Sequence, residues 1–207
     1  MTQRRALLVI DVQYDFLAGG SLAVPAGNEI IPEINAFHER VPFDLVVFSM
    51  DWHPANHCSF VTNNPGATVF TPHQLPSGPQ MMWPAHCVQN THGAQLHADL
   101  RRKPEHMDVR KGQDPHVDSY SAFFDNNHAV KTPLDDILIS HGITDVYVCG
   151  LATDYCVAYT SMDSRFLGYN TYMIEDLSRG ISPACIEKAK REMQEKGVHV
   201  VQSADIH

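Results

Sequence analysis

Short, continuously apolar runs alternate along this chain with segments whose apolar residues recur every three or four positions. Ala6, Leu7, Leu8, Val9 and Ile10 form the first run and predict a buried strand. Beyond Asn28, taken as a helix cap, Ile30, Ile34, Phe37 and Val41 fall on one helical face. A second strand is predicted over residues 44–50 and a shorter third over 107–110. Thr132 and Pro133 suit the N-cap and first turn of a helix that turns Leu134, Ile137 and Leu138 inward and stops at Gly142. A strand at 145–149, a helix from about 153 to 167 and a strand at 171–174 follow. Ser182 and Pro183 open a last helix with Ile186, Ala189 and Met193 on one face, Gly197 stops it, and a strand at 198–201 closes the series. Strands apolar on both faces, alternating with amphipathic helices, predict an α/β domain: three αβα layers around a central six-stranded parallel sheet.

One region breaks this alternation. Residues 53–103 hold six of the 13 prolines and six of the 13 histidines, with little periodicity. A connection of that length inside a compact domain is usually a lid or a site wall, and its aromatic and histidine content argues against a bare surface excursion. The expectation is a single domain over 1–207, with a metal-site and lid insertion at about 53–103; no repeat, low-complexity tract or linker divides the chain.

Composition narrows the partners. Of 207 residues, 43% are hydrophobic, enough for one sizeable core. The net charge of −9, with no basic cluster longer than Arg101, Arg102 and Lys103, argues against nucleic acid or an anionic membrane. No apolar run approaches the length of a membrane span, and the run near the start is too short for a secretory signal. Five cysteines without a repeating spacing fit a reducing compartment, so the expected location is cytoplasmic. A homo-oligomer is compatible with the sequence, which does not specify one.

The richest chemistry begins just after the second strand. Asp51, His53 and His57 lie within seven residues, and His86 follows in Trp83, Pro84, Ala85, His86, Cys87. Nitrogen and oxygen ligands without thiolates suit a catalytic metal that keeps open positions, although 13 histidines also produce close pairs by chance. In open parallel sheets, ligands bind beyond the carboxyl ends of the strands. Asp11, Asp51, Lys111 and Cys156 each lie at or just past such an end. Cys156 falls where a strand runs into a helix, a place where free N–H groups lower a thiol pKa and hold an oxyanion. Asp11 is the natural proton acceptor and Lys111 a nearby cation. Cys149 and Cys185 are expected to be small buried apolar residues instead.

Taken with their order and spacing, these residues resemble the isochorismatase-like cysteine hydrolases, and within them the nicotinamidase (pyrazinamidase) branch. The resemblance spans nearly the whole chain. It rests on Leu8 through Phe16, Gly19 through Val24, Asp51-Trp52-His53, Trp83 through Val88, Lys111-Gly112 and Gly150 through Val157. It implies an isochorismatase-like fold, an Asp11, Lys111 and Cys156 triad, and a metal held by Asp51, His53 and His86. His57 matches a position that contacts the metal in some members and only supports it in others. Phe16, Trp83 and Tyr120 match aromatic positions around the substrate ring. The N–H groups of Ala152 and Cys156 match the oxyanion hole, and the Leu151–Ala152 bond matches one that is cis in the family.

The implied reaction is metal-dependent hydrolysis of nicotinamide, or of pyrazinamide, to the acid and ammonia through a thioester. One divalent ion is implied, zinc by default, with iron or manganese also suited to these ligands. Tyr14, Tyr155 and the long interval from His53 to His86 depart from the usual pattern, leaving pocket shape open. Two alternatives stand beside this one: a metal-free relative acting on another small amide or enol ether, and a non-catalytic metal- or ligand-binding protein. Neither a G-x-G-x-x-G run nor a P-loop is present for nucleotides.

Overall fold

In the computed structural model, which describes residues 3–207, strands β1 (Arg5–Ile10), β2 (Leu45–Asp51), β5 (Met107–Lys111), β6 (Asp145–Leu151), β7 (Asn170–Arg179) and β8 (His199–Val201) form one sheet. Their order is β5-β2-β1-β6-β7-β8, and every pairing is parallel. The alternation inside β1 explains why its run is unbroken. Leu7 and Val9 enter the core on one face, while Ala6, Leu8 and Ile10 enter the core on the other. Helix α1 (Ile30–Arg40) covers the first face through Ile30, Ile31, Ile34 and Phe37. Helices α2 (Leu134–Ser140), α3 (Ala158–Phe166) and α4 (Pro183–Glu195) supply Leu134, Leu138, Ala158, Ala189 and Met193 to the second. The expected three-layer, six-stranded parallel architecture is thus what the chain adopts.

Local differences have local causes. Asn28 does not cap α1; it lies in a 3-10 turn, Gly27–Glu29, and its Oδ1 accepts the Ala18 N–H at 2.8 Å. The helix predicted from about 153 begins instead as a π-helical turn, Thr153–Val157, with Val157 N–H donating to the Ala152 carbonyl at 3.1 Å. β7 runs to Arg179, past the predicted 174, because a register shift between Val148 and Gly150 lets Ser178 and Arg179 pair with Gly150 and Leu151. Gly150 has φ +119°, and a Cβ there would meet the Ile10 carbonyl at 2.2 Å, so the close approach of β6 to β1 needs glycine. The aperiodic region also contains an antiparallel hairpin, β3 (Pro72–Leu75) with β4 (Gly78–Met81). Its proline- and glutamine-containing strands lack the apolar alternation by which strands are recognised. Among the described residues no helix is long and apolar enough to cross a membrane.

Candidate active site

β1, β2, β5 and β6 deliver their reactive residues to one end of the sheet because they are sheet neighbours running the same way. Asp51 and Lys111 are register partners at the ends of β2 and β5. Asp11 follows β1 with φ 50°, a left-handed conformation uncommon for a residue with a side chain. Its N–H lies 3.3 Å from the Ser49 carbonyl, and its Oδ1 accepts the Ser49 hydroxyl at 2.6 Å. Cys156 sits in the π-helical turn beyond β6. All four are buried.

Lys111 joins them. Its Nζ lies 3.0 Å from Asp11 Oδ2 and 3.3 Å from Cys156 Sγ. It also donates to Asp51 Oδ1 at 2.5 Å and to the Ser119 carbonyl at 2.8 Å. One atom each of Asp11, Asp51 and Cys156 lies within 4.8 Å of the others. Burial alone would neutralise Lys111, but Asp11 and Asp51 hold its ammonium well above the usual lysine range. Burial and the Asp51 charge push Asp11 up despite Lys111. Asp51, although buried, is held well below the carboxylate range by Lys111 and His53.

The thiol behaves differently from the expectation drawn from its helix-start position. Burial, with Asp11 and Asp51 adding negative charge, pushes the Cys156 thiol well above its ordinary value in spite of Lys111. A thiol raised in this way needs a proton acceptor beside it when the bond to carbon forms. Cys185 corrects the other cysteine expectation: it is exposed, whereas Cys149 is fully buried. Ala189 and Met193 are the buried residues of α4, whereas Cys185 lies in its first turn.

Asp51 also faces two imidazoles. Its Oδ2 is 3.4 Å from His53 Nε2 and 3.7 Å from His86 Nε2. Each ring uses its other nitrogen on a carbonyl: His53 Nδ1 is 2.7 Å from Gly112 O, and His86 Nδ1 is 2.8 Å from Pro84 O. A nitrogen that donates to a carbonyl must carry the proton, which leaves Nε2 with its lone pair toward Asp51 in the neutral ring. Three lone-pair donors facing one point, all within 4.8 Å of one another, suit a divalent cation. Burial opposes a charged His53, but Asp51 outweighs it and raises the imidazole pKa. Gly112 makes room, since a Cβ there would lie 2.3 Å from His53 Cε1.

His57 stands behind this group. Its ring centroid is 4.1 Å from that of His53, its Nδ1 is 2.8 Å from Ser59 Oγ, and its Nε2 is 3.9 Å from Asp118 Oδ1. Burial and the neighbouring His53 push it down to about 4. It shares a second potential donor group with His53 and Asp118 and does not join the triple formed with Asp51.

A pocket opens between the thiol and the imidazoles. Phe16, Trp83 and Tyr120 line it as expected, together with Asp51, His86, Ala152 and Cys156. Leu22, Val24, Asp118, Tyr155 and Ile181 complete the wall; Leu22 and Val24 fall in the Gly19–Val24 motif without a role assigned there, and Asp118 and Ile181 escaped the sequence reading. Gln13 was also missed. Its side chain pins β2 by accepting the Asp51 N–H and donating to the Asp51 carbonyl, both at 2.8 Å. It lies within the Leu8–Phe16 motif, which gave it no role. The Leu151–Ala152 peptide is cis.

A doubly covered parallel sheet bearing a buried thiol, carboxylate and ammonium at its carboxyl end defines a class of small α/β hydrolases. The isochorismatase domain is the member that matches: its family model covers residues 5–205, and the chain belongs to that family. A nicotinamidase of Escherichia coli (strain K12) is 46% identical over 205 residues, 97% of this chain and 96% of its own length. The structure of a nicotinamidase and pyrazinamidase from Acinetobacter baumanii superposes with a TM-score of 0.94 at 44% identity, covering 99% of both chains. The pyrazinamidase of Pyrococcus horikoshii, solved in complex with zinc, has a TM-score of 0.80 at 36% identity over 96% of this chain and 99% of its own.

Proposed function

We propose that this chain is a nicotinamidase, an amidohydrolase that converts nicotinamide to nicotinate and ammonia for NAD salvage. The observation that carries the reading is that one small pocket is lined at once by the Cys156 thiol and by Asp51 and His86 of the donor triple. A metal-free relative has no use for that triple, and a simple binding protein has no use for the thiol, carboxylate and ammonium beside it.

Asp11 takes the Cys156 proton as sulfur attacks the carboxamide carbon. The oxyanion is held by the Ala152 and Cys156 N–H groups. The C–N bond breaks as Asp11 returns the proton to nitrogen, releasing ammonia and leaving a thioester. Water then adds to the thioester, giving its proton to Asp11; the C–S bond breaks, nicotinate leaves and the thiol is restored. Lys111 balances the negative charge that this proton traffic places on sulfur and carboxylate.

Asp51, His53 and His86 hold a divalent metal in this reading, zinc for preference, with His57 behind them. Bound there, the ion supplies a Lewis-acidic point for the pyridine nitrogen, so that Phe16, Trp83 and Tyr120 enclose an already oriented ring. Pyrazinamide offers the same nitrogen and carboxamide and is a further substrate. We also infer a cytoplasmic location, supported by five free cysteines, and leave room for a homo-oligomer. Ammonia release from nicotinamide, with and without chelation, tests the whole reading.

We further propose that residues 53–103 serve as metal-site wall and lid. Trp83 and His86 come from this segment, and Phe70 packs edge-on to Trp83 at 5.9 Å. Amide hydrogen exchange across 53–103 should slow by about tenfold or more when nicotinate binds, as expected if local opening is suppressed. Unchanged exchange throughout would remove the lid.

A further inference from the structure

The β3–β4 hairpin carries one buried side chain between residues 72 and 81, and it is polar: Gln80, 8% exposed. If the hairpin needed only to dock, an apolar residue would serve without the cost of desolvating an amide. Gln80 Nε2 instead lies 2.9 Å from Asp118 Oδ2, 3.1 Å from the Tyr120 hydroxyl and 2.9 Å from the Met81 carbonyl. Asp118 and Tyr120 both line the pocket. The Tyr120 oxygen accepts a second donor, Trp83 Nε1, at 3.3 Å. On the far side, Asp118 Oδ1 accepts the Ser119 N–H at 2.8 Å and lies 3.9 Å from His57 Nε2. One amide thus fixes the aromatic wall and the carboxylate behind the imidazoles together.

We propose that Gln80 is a positioning residue for amide hydrolysis, holding Asp118 and Tyr120 where they shape the pocket around the substrate ring. The inference rests on the nicotinamidase reading above. No side-chain contact of Gln80 reaches Cys156, Asp11 or Lys111, so its influence falls on substrate affinity and not on the chemical step.

Gln80→Met keeps the length of the side chain and removes its donors. KM for nicotinamide rises about tenfold, the equivalent of ~1.4 kcal/mol, while kcat stays within about twofold. Calorimetric affinity for nicotinate falls by a similar factor, and metal content per chain is unchanged. Gln80→Glu sets a carboxylate against Asp118 and raises KM further; adding Asp118→Asn recovers most of that loss, because the new amide donates to the new carboxylate. A wild-type KM or wild-type nicotinate affinity in Gln80→Met overturns the proposal, as does a fall in kcat at constant KM. Should Gln80→Met fail to fold, the second pair decides, and no recovery on adding Asp118→Asn overturns it. Wild-type enzyme run in parallel separates the two ideas: no ammonia from the wild type defeats the nicotinamidase reading, whereas normal turnover with both variants unaltered defeats only the role of Gln80.

Discussion

Cys156→Ala abolishes ammonia release from nicotinamide, a loss of about 10,000-fold or more, as is usual when a covalent nucleophile is removed. Fold and metal content survive, because the thiol is not one of the donors of the Asp51, His53 and His86 triple and a methyl group fits its place in the buried turn. Circular dichroism and metal analysis on the same sample separate lost chemistry from lost structure. Activity persisting in this variant, with loss instead on replacing Cys149 or Cys185, would sink the assignment. Asp11→Asn is the companion test. The amide oxygen can still accept the Ser49 hydroxyl now bonded to Asp11 Oδ1 at 2.6 Å, but its NH2 replaces the oxygen that faces the Lys111 ammonium at 3.0 Å, so circular dichroism is read on this variant too. It cannot take the thiol proton, and the rate falls by about 100- to 10,000-fold with substrate affinity retained. Burial pushes the Cys156 thiol up, so a base beside it matters, which makes this variant informative.

Asp11 and Asp51 were legible because each comes at the end of a continuously apolar run, and parallel strands point those ends the same way as the ends that precede Cys156 and carry Lys111. What escaped depends on which strands are neighbours and on contacts between loops. Lys111 was placed beside Cys156 as a cation, but its shortest bond is to Asp51, and that follows only from the β2–β5 register that pairs the two residues. The sequence motif suggested a thiol acidified by a helix start; in the folded chain, burial and the charges of Asp11 and Asp51 push it up against Lys111. Asp118 and Gln80 lie 38 residues apart in segments without periodicity, so neither pattern nor spacing could join them. Cys185 was misplaced for a simpler reason: it lies in the first turn of α4, ahead of the buried residues Ala189 and Met193, and is exposed there. His57 needed the fold as well, since its distance from the donor triple depends on how the chain turns between Pro54 and Ser59.

Lys111 also bears on the other large expected effect, that of metal removal. Asp51 offers one oxygen to Lys111 and the other to His53 and His86, so it belongs to both halves of the site. Without the ion, the Lys111 ammonium stays hydrogen-bonded to Asp51 and ion-paired with Asp11, and the surroundings of Cys156 keep their shape. Chelation should therefore stop nicotinamide turnover, by about 100-fold or more given what positioning of a reacting group contributes. It should leave Cys156 open to a small alkylating agent, read by peptide mapping because exposed Cys185 also reacts. His53→Ala and His86→Ala should lower metal content and imitate chelation, each removing one donor of three. His57→Ala should do less, as its nitrogens face Ser59 and Asp118. Purified enzyme with no stoichiometric metal and full turnover in chelator would defeat this reading in favour of a metal-free hydrolase. Loss of Cys156 alkylation along with turnover would show instead that the ion governs the thiol, through the shared carboxylate of Asp51, and does more than orient the ring.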